Sequence, residues 1–249
     1  MLYKILKLAG YLLLTVFLTV TLAFTSKKVK HVTCGNIEIE YNEKESIRIS
    51  KDEVRRIIMA ADNQLIGKRL DRINTEFIEK EIEKHQAILN AEVFKVIASD
   101  STLLKGVLGV RVKHRKPILR VMSSSGSYYM DETGEKIPVS TSYAAKVLVA
   151  TGFFSEEFAS EKLLPFVLFL EENPFWKAQI TQIHVEKSGD LLLTPLVGNH
   201  LIELGSLDNF QKKLRNMKTF YEQILARNNW EKYEKISLKY KNQIVAKKR

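Results

Sequence analysis

The chain has 249 residues, 45% hydrophobic and 27% charged, so it can form one or two globular domains and does not have the composition of a disordered protein. Its single cysteine excludes an internal disulfide framework and a cysteine zinc site. The five histidines never have a metal-ligand spacing such as H-x-x-x-H, so the sequence predicts no metal centre and no cofactor. The formal charge of +10 at pH 7 predicts attraction to an anionic surface: a membrane, a nucleic acid or an acidic protein.

The N-terminal stretch from Leu8 to Thr25 contains eighteen consecutive uncharged residues. A helix of that length reaches about 27 Å, close to the hydrocarbon thickness of a bilayer. Residues 1–30 are therefore predicted to form a short cytoplasmic end and one transmembrane helix. A cleaved signal peptide is the alternative, although the uncharged stretch exceeds the usual signal core. Lysines flank both ends of this stretch, so the charge distribution does not decide the orientation of the helix. Because only a few residues precede the helix, we expect a cytoplasmic N-terminus, with the bulk of the chain outside the cytoplasm.

Residues 36–120 are predicted to form a small module with the order strand, helix, helix, strand, strand. Residues 36–41 alternate between polar and apolar, as in a half-buried strand. Ser50 and Glu53 form a capping box before one helix, and Asn74 or Thr75 caps the next. Two further strands are predicted over residues 93–97 and 107–112.

Residues 121–249 are predicted to form a mainly antiparallel β domain with two helices. Hairpins are predicted around Gly134 and Gly189, because each glycine can adopt a positive φ between two apolar stretches. The apolar run over 163–170 is too short to span a bilayer and predicts a core helix. Apolar residues at helical spacing predict a second helix over 208–226. From Ile236 to Ile244 the alternation predicts a C-terminal edge strand.

Most of the positive charge lies in residues 209–249, which contain twelve lysines and arginines but three acidic residues, a net charge of +9. Such a surface would speed association with an acidic partner segment. The lysines could equally protect an exposed sheet edge against aggregation. The charge pattern fits both roles.

Three stretches resemble motifs of the bacterial FtsQ/DivIB cell-division family. Residues 109–118, Gly-Val-Arg-Val-Lys-His-Arg-Lys-Pro-Ile, resemble the last strand of the family's small module. Residues 128–134, Tyr-Tyr-Met-Asp-Glu-Thr-Gly, resemble its hairpin, and residues 236–240, Ile-Ser-Leu-Lys-Tyr, its final strand. The sequence departs from the family in two places. Ser237 replaces the usual acidic residue, and the first strand lacks the common Val-x-Gly.

The resemblance covers essentially the whole chain and implies an α+β protein. It would have a single N-terminal transmembrane helix, a POTRA-like βααββ domain at 36–120 and the family's β domain at 121–249. It would be a single-pass inner (plasma) membrane protein at the division septum, with the bulk of the chain outside the cytoplasm. The family is not enzymatic and has no catalytic residues. It binds FtsB and FtsL, which connect onward to FtsW and FtsI in septal peptidoglycan synthesis.

The resemblance also implies a partner site, because the family adds an FtsB segment as a strand along its last strand. An edge strand offers unpaired backbone groups that a partner strand satisfies. Tyr240 matches the aromatic residue of that strand, and Trp230 and Tyr233 are further aromatic anchor candidates. The predicted partner-binding residues are Trp230, Tyr233, Ile236, Leu238, Lys239, Tyr240 and Lys241.

Several other functions compete with this interpretation. A membrane-anchored envelope enzyme would need a catalytic motif such as G-x-S-x-G or H-E-x-x-H, and the sequence has neither. Asp131, His184 and Asp190 lie in or beside predicted hairpins, where turn-forming roles are expected. A nucleic-acid binder fits the charge, but not a chain located outside the cytoplasm. Outer-membrane assembly proteins need a large barrel that 130 residues with two helices do not supply. An orphan envelope interaction protein is the remaining alternative, and the oligomeric state is not predicted.

Overall fold

A computed structural model describes residues 2–29, 32–41, 46–100, 103–124, 126–141, 143–223, 230–241 and 243–249. The chain divides into two compact units. The first contains Met1–Glu43 and Ile49–Lys113, and the second contains Lys44–Arg48 and His114–Arg249. Each unit has its own sheet.

The N-terminal residues form helix α1 (Leu2–Val29). Three threonine hydroxyls within it donate to carbonyl groups of the preceding turn: Thr15 to Leu12 at 2.8 Å, Thr19 to Val16 at 2.9 Å and Thr21 to Phe17 at 2.9 Å. These bonds satisfy hydroxyl groups that would otherwise be unpaired in an apolar environment. Among the described residues, no helix is both long enough and apolar enough to cross a membrane.

The rest of the first unit has the predicted order of strand, helix, helix, strand, strand. Its strands are β1 (Cys34–Tyr41), β2 (Ile88–Asp100) and β3 (Leu103–His114). They form a three-stranded sheet in the order β1, β3, β2, with β1 parallel to β3. A short 3₁₀ turn (Leu70–Arg72) precedes the second helix of the module. The two helices are α2 (Lys51–Ala61) and α3 (Thr75–Glu83).

Side-chain caps fix where α2 and α3 begin. The Glu53 N–H donates to Ser50 Oγ at 3.1 Å, and the Phe77 N–H donates to Asn74 Oδ1 at 3.1 Å. Each cap satisfies one of the backbone N–H groups that a helix leaves unpaired at its start. Both predicted helix starts are therefore confirmed.

The hydrophobic core of the first unit is formed by side chains from its strands and from both helices. It includes Ile37, Ile39, Val54, Ile58, Ile78, Ile82, Leu108 and Val110.

The second unit contains a nine-stranded sheet within the described residues. The predicted hairpins are present, and Gly134 and Gly189 have φ values of 88° and 85°. The strands are β4 (Pro117–Ser123), β5 (Gly126–Asp131), β6 (Lys136–Ile137), β7 (Leu148–Gly152), β8 (Ile180–Val185), β9 (Leu191–Pro195), β10 (Leu201–Gly205), β11 (Tyr233–Ser237) and β12 (Val245–Lys248).

The strand order in this sheet is β12, β11, β10, β9, β8, β7, β4, β5, β6. Three neighbouring pairs are parallel: β4 with β7, β7 with β8, and β10 with β11. The other five neighbouring pairs in the described sheet are antiparallel, in agreement with the predicted mainly antiparallel domain, whereas the three parallel pairs were not predicted. The helical segment before β8 supplies the crossover that a parallel β7–β8 pair requires.

The second unit has more helix than the two helices predicted. Helix α4 (Glu156–Phe158) continues through a π-helical turn (Ala159–Leu163) into α5 (Leu164–Glu172). The predicted core helix is confirmed here, with Pro165 in its first turn. An additional helix, α6 (Pro174–Gln179), follows directly. The predicted amphipathic helix is α7 (Phe210–Gln223), and its predicted end at 224–226 lies outside the described residues.

Two predicted boundaries are corrected by the strand pairing. The division at 120/121 falls inside β4, which belongs to the larger sheet, and the long segment of the second unit begins at His114 instead. The predicted edge strand from Ile236 to Ile244 is wrong in its extent. β11 ends at Ser237 and is paired on both sides, whereas β12 is the edge of the sheet.

Candidate functional site

A groove of about 450 Å³ lies beside the C-terminal part of the larger sheet. It is enclosed by the connection after β10, the first half of α7 and the connection between β11 and β12. We call it the C-terminal groove. Its charged lining residues are four lysines and one aspartate: Lys212, Lys213, Lys239, Lys241 and Asp208. The groove therefore presents mainly positive groups.

Two local features give the groove its shape. Gly205 has a φ of 73°, and a Cβ at this position would lie 2.7 Å from Lys239 Cγ. The Lys239 stem can cross the end of β10 only because Gly205 has no side chain. On the opposite wall, Lys213 Nζ donates to the carbonyl oxygens of Leu204 at 3.1 Å and Ser206 at 2.7 Å. This contact ties α7 to the end of β10.

Ion pairs hold Lys239, which lines one side of the groove, and also Lys235. Lys239 Nζ lies 2.7 Å from Asp190 Oδ2 and 3.5 Å from Glu203 Oε1, and Lys235 Nζ donates to the same Glu203 oxygen at 2.9 Å. The hydrogen bond to Asp190 raises the pKa of Lys239. Burial pushes the pKa of Glu203 up, but the hydrogen bond from Lys235 and the positive charges of Lys235 and Lys239 bring it below its usual value. Acidic residues outside 209–249 therefore neutralise part of that segment's charge.

Tyr240 and Lys241 are the predicted site residues that the structure leaves most available. The Gln243 N–H donates to the Tyr240 carbonyl at 3.3 Å, which closes a turn between β11 and β12. The Tyr240 side chain at this turn is 58% exposed. Lys241 is exposed and makes no ion pair with any residue that the structure describes. Both can reach a partner without unfolding the domain.

Two other predicted site residues are not available for binding. Ile236 is fully buried and Leu238 is 3% exposed, and both belong to the core of the second unit. The Leu238 N–H also donates to the Glu203 carbonyl at 2.8 Å, so this residue continues the contact with β10. These side chains stabilise the domain and do not contact a partner in this structure.

Trp230 and Tyr233 belong to an aromatic cluster around α7. The Trp230 ring lies 5.2 Å from the Tyr221 ring and is stacked 6.4 Å from His200, measured between ring centroids. Tyr233 contacts Phe220 edge to face at 5.8 Å. Both predicted anchors are half-buried by their own domain, so their main contacts are structural.

The edge strand β12 was not among the predicted site residues. It pairs with β11 on one side, and it has no strand on its other side among the described residues. Val245 is 47% exposed. The sequence signal was the Ile244-Val245 pair, whose β-branched side chains favour a strand. The exposed candidate surface therefore comprises β12 together with Tyr240 and Lys241.

The other polar candidates have structural contacts. Asp131 Oδ1 accepts hydrogen bonds from the N–H groups of Thr133 and Glu135, both at 2.9 Å, and Oδ2 lies 2.9 Å from the Arg115 guanidinium. His184 Nδ1 lies 2.9 Å from the Thr151 hydroxyl. No cluster of metal-binding side chains occurs within the described parts of the chain. The turn-forming role predicted for Asp131 is confirmed.

Family models of known proteins match residues in both units. The family model described as "FtsQ/DivIB, C-terminal related" matches residues 116–247, which is more than half of the chain. The model for a POTRA-like domain matches residues 31–99. A similar protein is the cell division protein FtsQ of Salinibacter ruber, which is 25% identical over 168 residues. The alignment covers 62% of this chain and 64% of that protein, so the chain spans less than two thirds of the relative's length.

Proposed function

The chain belongs to the FtsQ/DivIB family of cell division proteins, and on this premise we propose that it is a non-enzymatic scaffold of the bacterial division machinery. In this proposal it binds FtsB- and FtsL-type partners and links them to the FtsW and FtsI proteins of septal peptidoglycan synthesis. The partner segment adds as a strand to β12. No catalytic residue, cofactor or metal takes part in this role.

The observation that carries this proposal is the open edge of β12. β11 has a neighbour on each side, so a new strand can join this end of the sheet only at β12. The Arg249 N–H donates to the Lys232 carbonyl at 3.2 Å and therefore faces β11. Because backbone groups alternate along a strand, the N–H groups of Ala246 and Lys248 face outward. They are the groups that a partner strand would bind.

Side chains beside this edge supply specificity. Tyr240 offers an exposed aromatic ring, a favoured anchor at protein interfaces, and Lys241 offers an accessible positive charge. An acidic partner segment suits this surface, and its association should weaken as salt increases. Lys239 is a poorer contact because it already lies between two carboxylates.

Membrane attachment is part of the proposal and rests on the family and on the uncharged stretch from Leu8 to Thr25. We propose a single-pass inner (plasma) membrane protein at the septum, with a cytoplasmic N-terminus and both folded units outside the cytoplasm. Confinement to one membrane would raise the effective concentration of the partners and allow moderate affinities to suffice.

A proline substitution in β12 tests strand addition. Ala246→Pro removes one outward N–H and leaves the N–H groups that face β11 in place. We expect its affinity for an FtsB-type partner to fall about tenfold, the change that the loss of roughly one hydrogen bond produces. The control is Ala246→Ser, which retains the N–H. If the proline variant remains folded and binds normally, the partner does not add to β12.

A further inference from the structure

The sheet of the first unit also has edges, and one of them is occupied by carboxylate groups. β2 is the last strand in the order β1, β3, β2, so one side of it has no neighbouring strand among the described residues. The Val93 N–H donates to Glu79 Oε1 at 2.7 Å, and the Ala91 N–H donates to Glu83 Oε1 at 3.0 Å. Both carboxylates belong to α3.

These two bonds use the backbone groups that a new strand would need. Ala91 and Val93 are two residues apart, and alternate residues of a strand direct their N–H groups to the same side. That side is the free edge, because each N–H donates to α3 instead of to β3. The carboxylate oxygens therefore occupy the positions of carbonyl oxygens on an added strand. The Asn90 side chain also donates to Glu83 Oε1 at 3.0 Å, which holds this carboxylate in place.

The strand beneath these carboxylates is long and partly apolar. β2 has 13 residues, and Leu89, Val96 and Ile97 are exposed along it. Long edge strands with exposed apolar side chains favour pairing between molecules, and natural proteins cover or charge such edges. Glu79 and Glu83 have the geometry to do this for β2, whereas the described contacts include no carboxylate bound to the outward N–H groups of β12.

We propose that the β2 edge is a latent strand-docking surface that Glu79 and Glu83 keep closed, and that its occupant when opened is β2 of a second copy of this chain. An antiparallel pair centred on Phe94 brings the N–H groups of Ala91 and Val93 into the new ladder. In this register Glu92 lies opposite Val96 of the second copy and Lys95 lies opposite its Val93, so no like charges are directly opposite each other. The pairing also covers exposed apolar side chains of both copies. This proposal does not depend on the division role.

Two matched double variants of the full chain test the proposal. Glu79→Ala with Glu83→Ala removes both acceptors, whereas Glu79→Gln with Glu83→Gln retains an amide oxygen at each position. Both variants lose the same two charges, so they differ in hydrogen-bonding capacity rather than net charge. Glu76→Ala on the same helix is a further control, because the described contacts include no bond from Glu76 to β2.

Light scattering over a range of concentrations gives the mass, and hydrogen exchange gives the protection of the Ala91 and Val93 amides. We expect the alanine variant to shift from monomer to dimer mass as concentration increases, with both amides becoming protected in the dimer. The glutamine variant and Glu76→Ala should remain monomeric with both amides protected. An alanine variant that stays monomeric, or a glutamine variant that dimerises equally, would overturn the proposal. If the double alanine variant fails to fold, Glu83→Ala alone gives the same comparison, because Glu83 lies at the surface.

Discussion

The Lys239 ammonium lies between two carboxylates, 2.7 Å from Asp190 and 3.5 Å from Glu203. Asp190 precedes β9 and Glu203 lies in β10, so one side chain joins the segment after β11 to two other parts of the sheet. Lys239 also covers Gly205, where a larger residue would collide with its stem. A residue that the sequence suggested as a partner contact therefore has a structural role.

Charge reversal separates the structural lysine from the accessible one. Lys239→Glu places a third carboxylate beside Asp190 and Glu203, and we expect it to lower the free energy of unfolding by about 1–2 kcal/mol. Lys241→Glu should change stability by no more than about 0.5 kcal/mol, because Lys241 is exposed. Urea unfolding measures both values. Equal losses of stability in the two variants would contradict the assigned roles.

In the first unit, an aromatic ring lies where Gly109 would carry a Cβ. A Cβ on Gly109 would lie 2.3 Å from the Phe94 ring, which also has the Arg111 guanidinium 5.4 Å from its centroid. Gly109→Ala must displace this ring, and we expect the free energy of unfolding to decrease by about 1–3 kcal/mol. Thermal unfolding measures this change. Gly35→Ala is the control, since its Cβ would be 3.7 Å from the nearest backbone atom. Similar melting temperatures for the two variants would refute the ring contact.

Asp131 should contribute to stability in a pH-dependent way. Burial raises the pKa of its carboxyl group. Hydrogen bonds from Thr133, Arg115 and the Glu135 N–H together lower it by a larger amount, so the pKa in the folded state lies below the usual value. The stabilisation is complete above the unfolded pKa of about 3.9 and is lost as the pH falls through the folded pKa.

The Asp131→Ala substitution leaves the Arg115 guanidinium and the turn N–H groups unpaired. We expect the substitution to lower the free energy of unfolding by about 3 kcal/mol at pH 7. The difference from the unmodified chain should shrink as the pH falls below about 4, which urea unfolding at several pH values measures. A difference that stays constant down to acidic pH would show that the charge of Asp131 is unimportant.

His200 should make the second unit less stable in mild acid. Burial lowers its pKa, and the nearby Arg249 charge lowers it further, while Glu231 opposes them. The folded state thus keeps His200 neutral, with Nε2 2.9 Å from the Tyr221 hydroxyl, under conditions where the unfolded chain takes up a proton. Above the pKa of about 6.5 that His200 has in the unfolded chain, its titration does not reduce the free energy of unfolding. At lower pH, the free energy of unfolding decreases by up to about 1.4 kcal/mol per pH unit.

The variant His200→Gln removes this proton uptake and keeps a polar group near Tyr221. Urea unfolding between pH 7.5 and 5.5, a range that brackets the ordinary histidine pKa of about 6.5, should show a shallower dependence on pH than in the unmodified chain. Identical slopes would mean that His200 does not titrate differently in the two states.

Local sequence patterns predicted most helices and strands of this protein. Caps at Ser50 and Asn74, and glycines with positive φ at 134 and 189, act within a few residues, and each is present in the structure. One local signal was missed. Asn173 Oδ1 accepts hydrogen bonds from the N–H groups of Phe175 and Trp176 and begins α6, in which proline takes the first position.

Strand pairing and the bounds of the last strands were not predictable in this way. The apolar alternation of Ile236, Leu238 and Tyr240 continues past the end of β11. The chain turns there because Lys239 is held by Asp190 and Glu203, and the Tyr240 carbonyl accepts the Gln243 N–H. Asp190 and Glu203 are far from Lys239 in sequence, so periodicity alone placed Tyr240 in a strand when it lies in a turn.

Hydrogen exchange at β12, with and without an FtsB-type partner, tests the central claim most directly. Strand addition predicts that the Ala246 and Lys248 amides exchange rapidly in the chain alone, because both face outward, and slow markedly when the partner binds. The N–H groups that face β11 should change little. A partner that binds while these two amides remain unprotected, with new protection elsewhere, would contradict strand addition at β12.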